Sequence, residues 1–252
     1  ADMEERQVSR ESSLAKMLTT WQAMVDASDS YTGDRRSVSG LVGGDGLKMR
    51  QYAIRGKAMS GGYVSEVIAE ALSMAESNAC MRRIVAAPTA GACGVLPAVL
   101  LPLCKYEELN QRQILEALYV ASGIGAVIAY RACIAGAAGG CQAEIGVAVS
   151  MASAALCSMM TDDPDTIHCA ASLGGQVLMG LLCNPIEGYV QVPCIVRNMA
   201  AVPTAVTCAN AALAGMDHIV PLDDVVALML AVGEKIRPCD EAGTYILKKE
   251  EA

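Results

Sequence analysis

Residues 141–160 read CQAEIGVAVSMASAALCSMM, a stretch rich in Ala, Val and Met that predicts a helix. Small apolar residues of this kind suit helices that pack against one another at short range. The alternating apolar and polar positions that indicate β-strands are scarce along the whole chain. The stretch and its surroundings therefore favour an all-α fold.

Helical patterns continue on both sides of this stretch, and Gly or Pro residues separate them. No linker, low-complexity tract or internal repeat divides the chain. We therefore predict a single compact all-α domain over residues 1–252, with about eight to ten helices and with an N-terminal helix and linker in residues 1–35. The N-terminal helix is predicted at 1–30. Besides 141–160, further helices are predicted at 65–80, 95–103, 110–134 (as one or two helices), 162–183, 194–215 and 222–234.

The composition indicates which kinds of partner, among subunits, nucleic acids and membranes, the protein is expected to contact. Hydrophobic residues make up 53% of the chain, with Phe absent and one Trp, so part of the apolar excess is expected to cover a subunit interface in an oligomer. The net charge of −8 argues against a nucleic-acid partner, which would need clustered Lys and Arg. The longest apolar runs, near 145–160 and 167–183, fall short of or are interrupted within the roughly 20 residues of a membrane span, so we expect none.

The chain contains 11 cysteines, and its opening residues, ADMEER, are charged. We expect no secretion signal, reduced thiols and a cytoplasmic location. Eight of the cysteines lie in apolar helical patterns or in ordinary positions and are interpreted as structural: Cys80, Cys93, Cys104, Cys133, Cys157, Cys169, Cys208 and Cys239.

The other three cysteines lie beside residues that break regular structure: Cys141 in GGCQAE, Cys183 in LCNP and Cys194 in VPCI. Each thiolate can therefore be presented from a turn. Three thiolates can hold three corners of a cubane iron–sulfur cluster and leave the fourth iron open as a Lewis acid. The separations match no zinc or ferredoxin pattern, so on spacing alone a chance arrangement stays open.

The segments around these cysteines are longer than the cysteine motifs themselves. GAAGGCQAE (136–144), LCNPIEG (182–188) and VQVPCIVRN (190–198) resemble the α chain of iron–sulfur-dependent L-serine dehydratases. GLVGGD (40–45) and APTAG (87–91) resemble the same family, and the similarity runs in order from about residue 38 to 232.

The resemblance implies an enzyme that converts L-serine to pyruvate and ammonia, within amino-acid degradation and gluconeogenesis. It implies a [4Fe–4S] cluster held by Cys141, Cys183 and Cys194, no pyridoxal phosphate, and a separate β chain. An open iron would make the serine hydroxyl a tolerable leaving group while a base removes the α proton.

Polar residues near the cysteines are candidates for substrate or cluster contacts. Arg197 and Asn198 lie about one turn beyond Cys194 if a helix continues there, and Arg197 would either bind a substrate carboxylate or form a structural ion pair. Gln142 and Glu144 flank Cys141 and are candidates to orient the cluster.

Two upstream loops rich in Gly hold further candidates. Asp45 and Thr89 would either contact the substrate or cap a helix. The loop SGLVGGDG (39–46) is either a flexible turn or a place where the backbone comes close to a ligand or to a neighbouring loop. It lacks the Lys-Ser pair of a phosphate-binding loop.

The sequence offers no clear general base. His168 lies on an apolar helix face, where a satisfied core histidine is commoner, and His218 is interpreted as a helix-end residue. The family's Ser-Ser-Ser-His type motif belongs to the β chain, so we expect the base on the partner chain.

Asn184 stands where the family usually has Asp after the second cysteine. Two alternatives therefore stay open. One is a related cluster-dependent lyase that acts on another amino acid such as cysteine, and the other is a non-catalytic helical subunit.

Overall fold

A computed structural model describes residues 2–56, 58–107, 109–186, 188–217 and 219–236. Over these residues the regular structure is helical, apart from one isolated bridge between Ile186 and Tyr189. This confirms the all-α prediction, and nine of the described helices have ten or more residues, within the predicted number.

The helices are numbered in chain order. A 3-10 turn at Ala90–Ala92 precedes α5, and a π turn at Gln142–Gly146 leads directly into α8. Helices α1 to α11 span Asp2–Arg6, Arg10–Asp29, Asp45–Ile54, Gly61–Ala79, Val95–Tyr106, Gln111–Arg131, Gly136–Gly139, Val147–Ser158, Pro164–Gln176, Gln191–Leu213 and Leu222–Lys235.

Helix α8 forms the centre of the fold, because every residue from Val147 to Cys157 is buried. Helices α5, α6, α9 and α10 surround it. At Gly174 of α9, a Cβ atom would lie 2.8 Å from the Cα of Ser150, so the two backbones touch directly. The small residues of this stretch thus allow the short-range helix packing predicted from the composition.

Two predicted helix starts are confirmed by their caps. Asn110 accepts a hydrogen bond from the backbone N–H of Gln113, whose side chain in turn accepts from Asn110, which makes a capping box at α6. Asp163 accepts from the backbone N–H of Thr166 at the start of α9.

Three helix boundaries were predicted wrongly, and the helix predicted at 141–160 begins with a π turn. The first helix is two helices, because Gln7 adopts a φ of 53° and Ser9 caps a new start. Helix α9 ends at Gln176 instead of about residue 183, and Gly180 beyond it has a left-handed φ of 82° that a helix does not contain. Residues 142–146 form a π turn, and α10 begins at Gln191, three residues before Cys194. Cys194 is therefore presented from the first turn of a helix, where Pro193 is tolerated, and not from a loop.

Helix α3 was not predicted from the sequence, and it begins at Asp45, within the loop at 39–46. The buried carboxylate of Glu76 accepts hydrogen bonds from the backbone N–H groups of Gly44, Asp45 and Gly46 and from the hydroxyl of Tyr31. A carboxylate at a helix N-terminus satisfies free N–H groups and complements the helix dipole. The loop is therefore joined to helix α4 through Glu76, whereas the prediction placed a ligand or a neighbouring loop there.

Replacing this carboxylate should loosen the loop and α3. We expect Glu76→Gln to lower the free energy of unfolding by about 1–3 kcal/mol, because a buried charge-assisted network loses its acceptor. Urea denaturation checks this, with Glu116→Gln on the exposed face of α6 as the matched control. Equal stability of the two variants would contradict the role of Glu76.

Helices α6 and α10 are long and apolar enough, by length and composition, to cross a membrane. The core helices of soluble proteins pass the same test, so this is weak evidence. In the fold α6 packs against α8, and α10 packs against α4, α8 and α9.

Candidate functional site

Three separate elements bring the predicted cysteines to one place. Cys141 precedes the π turn and is fully buried. Cys183 lies in the loop after α9, and Cys194 lies in the first turn of α10. The half-buried Cys183 and Cys194 both line one cleft of about 350 Å³.

The three thiols lie close enough to perturb one another. A hydrogen bond from Cys141 lowers the pKa of the Cys183 thiol below its ordinary value, and the charge of Arg197 acts in the same direction. The same hydrogen bond, together with burial, raises the pKa of Cys141. Burial raises the pKa of Cys194 to about 12, and the charges of Glu144 and Cys183 add to this effect. The structure thus brings the three cysteines together, and their role as cluster ligands stays a prediction.

Arg197 is the cation beside this cluster of thiols. Its Nη1 donates to the Sγ of Cys141 at 2.7 Å, and its Nη2 donates to the Oδ1 of Asn184. The guanidinium therefore connects the π turn to the loop that carries Cys183. Both contacts are hydrogen bonds, one to a thiol and one to an amide, and the binding of a substrate carboxylate by Arg197 stays a prediction.

Asn198 lies one turn beyond Cys194, as predicted, but it is fully buried and does not line the cleft. Its Nδ2 donates to the carbonyl oxygens of Gly91 at 2.6 Å and Cys194 at 2.8 Å. Its Oδ1 accepts from the N–H of Gly94 at 3.0 Å. The side chain thus fixes the turn of Cys194 against the 3-10 turn.

Gln142 fixes the backbone beside Cys141 in a similar way. Its Nε2 donates to the carbonyl oxygen of Met229 at 3.0 Å, and its Oε1 accepts from the N–H of Gly180 at 2.8 Å. One buried amide therefore connects the π turn to α11 and to the loop after α9. These two hydrogen bonds hold the segments that carry Cys141 and Cys183 in place.

Glu144 and Thr89 meet at the edge of the cleft. The Thr89 hydroxyl donates to Oε1 of Glu144 at 2.5 Å, and Glu144 lines the cleft with Cys183 and Cys194. A Cβ atom on Gly91 would lie 2.5 Å from Oε2 of Glu144. Only a glycine lets the backbone come so close to this carboxylate.

The remaining candidates lie elsewhere. Asp45 pairs with Lys48 at 2.7 Å at the exposed start of α3 and does not line the cleft. His168 lies on α9 and does not line it either, whereas His218 and Cys239 lie outside the described residues.

Two residues near the site were not singled out by the sequence. Cys93 is buried, and burial, followed by the charge of Cys194, raises its pKa to about 12. Asn78 lines the cleft and donates to the carbonyl oxygen of Ala90 at 3.0 Å. Neither carries a local signal, because each is brought to the site by helix packing.

Three thiols are a donor set that an iron–sulfur cluster can take. Within the part of the chain that the structure describes, no three His, Cys, Asp or Glu side chains are grouped to hold one metal ion. A cubane cluster instead takes one thiolate on each iron, so its ligands need not converge on one point. Three thiols from three elements, with an arginine beside them, meet that requirement.

The chain resembles known proteins over most of its length. A family model described as serine dehydratase alpha chain matches residues 1–242. The chain is 38% identical over 198 residues to the probable L-serine dehydratase, alpha chain, of Bacillus subtilis, which covers 79% of this chain and 66% of that protein. It is 40% identical over 196 residues to the L-serine dehydratase, alpha chain, of Peptoniphilus asaccharolyticus, covering 78% and 67% respectively.

A third relative is longer. L-serine dehydratase 2 of Escherichia coli is 43% identical over 166 residues, which are 65% of this chain and 36% of that protein. The chain thus spans about two thirds of the length of the two alpha chains and about a third of the Escherichia coli protein.

Proposed function

Because this chain belongs to the serine dehydratase alpha chain family, we propose that it is the α subunit of an iron–sulfur L-serine dehydratase. The reaction is the conversion of L-serine to pyruvate and ammonia in the cytoplasm, without pyridoxal phosphate. The observation that carries the proposal is that Cys183 and Cys194 line one cleft, while the buried Cys141 lies within hydrogen-bond reach of Cys183.

The three thiolates would hold a [4Fe–4S] cluster. When bound, such a cluster supplies an open iron that acts as a Lewis acid toward the serine hydroxyl. The residues around the thiols keep them in place, because Gln142 and Asn198 fix their backbones through buried hydrogen bonds. Arg197 offsets part of the negative charge at Cys141 and holds the neighbouring loop through Asn184.

The cleft suits a small polar substrate. Its volume of about 350 Å³ is at the lower end of ligand pockets, and its walls are mostly Ala, Val and Gly. Apart from the two cysteines, Glu144 is the only ionisable residue among the described residues that line it. We therefore propose that a β chain closes the cleft and supplies the general base, in an oligomer of α and β chains.

The test is L-serine-dependent pyruvate formation by the α chain, purified without oxygen, alone and together with a β chain. We expect turnover only with both chains. Sulfide release from cysteine in place of pyruvate from serine would assign the chain to a related lyase. A full cluster without turnover of either amino acid, with the β chain present, would indicate a non-catalytic subunit.

Arg197 is expected to help the chain retain the cluster. We expect Arg197→Lys to lower iron retention or activity by about 10- to 100-fold, because a flexible ammonium lacks the planar fork that holds Cys141 and Asn184 in this geometry. Iron per chain after desalting without oxygen is the measurement, and Arg112→Lys in an exposed ion pair of α6 is the control. Iron content equal to that of the control would contradict the role of Arg197.

A further inference from the structure

Glu144 carries an unbalanced negative charge into the cleft. Thr89 is its one hydrogen-bond donor among the described residues, and it contacts only Oε1. Within the same residues no Lys or Arg forms an ion pair with Glu144. A carboxylate accepts about four hydrogen bonds, so most of its capacity is unused.

The described surroundings do not offset this negative charge. Glu144 lines the same cleft as Cys183 and Cys194, both of which are proposed ligands. The cation that acts on these thiols is Arg197, and its guanidinium is engaged by Cys141 and Asn184. A small cation entering the cleft would therefore be attracted to Glu144.

The glycines beside Glu144 hold the carboxylate at the cleft wall. Cβ atoms at Gly91 and Gly136 would lie 2.5 Å and 3.0 Å from Oε2. The carboxylate is thus set between two backbone segments, and Thr89 fixes its orientation. Such a group is pre-organised to accept from a ligand, because little side-chain freedom is lost on binding.

We propose that Glu144 is a specificity-determining residue that binds the α-ammonium group of the amino-acid substrate. This inference rests on the proposed function for the identity of the substrate. An ammonium group has three donors and fits the free acceptor sites of this carboxylate. The cleft then selects 2-amino-3-hydroxy acids over 3-hydroxy acids that lack the amino group.

The test compares Glu144→Gln with the native chain, each in complex with the β chain and with its cluster. Gln keeps the shape and can still accept from Thr89, but it removes the charge. We expect the KM for L-serine to rise about tenfold or more while kcat changes little, because a uniform binding interaction is lost. Inhibition by 3-hydroxypropionate, which has no ammonium group, should be unchanged, as should iron content and melting temperature.

A second measurement does not depend on turnover. Calorimetry compares the binding of L-alanine and of propionate, of which only L-alanine carries an ammonium group. We expect Glu144→Gln to weaken the binding of L-alanine alone. Thr89→Val, which frees Oε1 without removing the charge, should have a smaller effect in both measurements.

The outcomes separate the two proposals. A native complex that does not convert serine, but whose L-alanine binding is weakened by Glu144→Gln, contradicts the proposed function and supports this inference. Turnover with an unchanged KM and unchanged L-alanine binding overturns the inference alone. A loss of kcat at constant KM also overturns it, because the carboxylate would then act in the chemical step.

Discussion

In the Cys183→Ser variant we expect iron to fall from about four atoms per chain to near zero, and serine dehydration to disappear with it. Serine has the size of cysteine, but its hydroxyl does not ionise near neutral pH and is a poor ligand for iron in a cluster. The same result is expected for Cys141→Ser and Cys194→Ser, since each thiol comes from a different element and none can replace another.

The measurement is iron and acid-labile sulfide per chain after purification and reconstitution without oxygen. Cys93→Ser is the sharpest control, because this buried thiol interacts with Cys194 yet donates to the carbonyl oxygen of Met74. Cys157→Ser, in the buried helix α8, is the second control, and both should keep nearly full iron. Full iron in any of the three site variants would remove that residue from the ligand set, and loss of iron in Cys93→Ser would add a fourth thiol to it.

The three cysteines were singled out by the longer segments around them, because the Gly or Pro near each one left a chance arrangement open, and their role as ligands stays a prediction. Arg197 followed from helical spacing alone, since α10 does continue through it. The role of Asn198 could not be found in this way, because its partners Gly91 and Gly94 are 107 and 104 residues away. The Asn198 amide joins α10 to the region of the 3-10 turn. No local sequence pattern indicates that these two elements lie in contact.

The same distinction explains the fold. Helix α6 was predicted well because its capping box is formed by neighbours, Asn110 and Gln113. Helix α3 was missed because the groups at its start are satisfied by Glu76, 30 to 32 residues further along the chain. Helix α9 was predicted too long because Gly180 leaves the helix to donate to Gln142 of the π turn. Local signals thus set where helices form, and packing decides where some of them start and stop.

We expect the contact between α8 and α9 to tolerate added volume poorly. In Gly174→Ala the new Cβ would lie 2.8 Å from the Cα and 3.0 Å from the backbone nitrogen of Ser150. Backbone atoms cannot rotate away as a side chain can, so the two helices must separate along a fully buried surface. We expect the free energy of unfolding to fall by about 2–3 kcal/mol, near the upper end of overpacking effects.

Gly123→Ala is the matched control for this change. Gly123 lies in α6, its added Cβ would meet no atom within 4 Å, and its backbone needs no left-handed conformation. Alanine there should raise stability by about 0.5–1 kcal/mol, because the unfolded chain loses freedom while the helix gains a better former. Urea denaturation of both variants without oxygen gives the two changes directly. Opposite signs follow if the backbone contact sets the helix spacing, whereas a stabilising effect at both positions would mean that α8 and α9 can separate without cost.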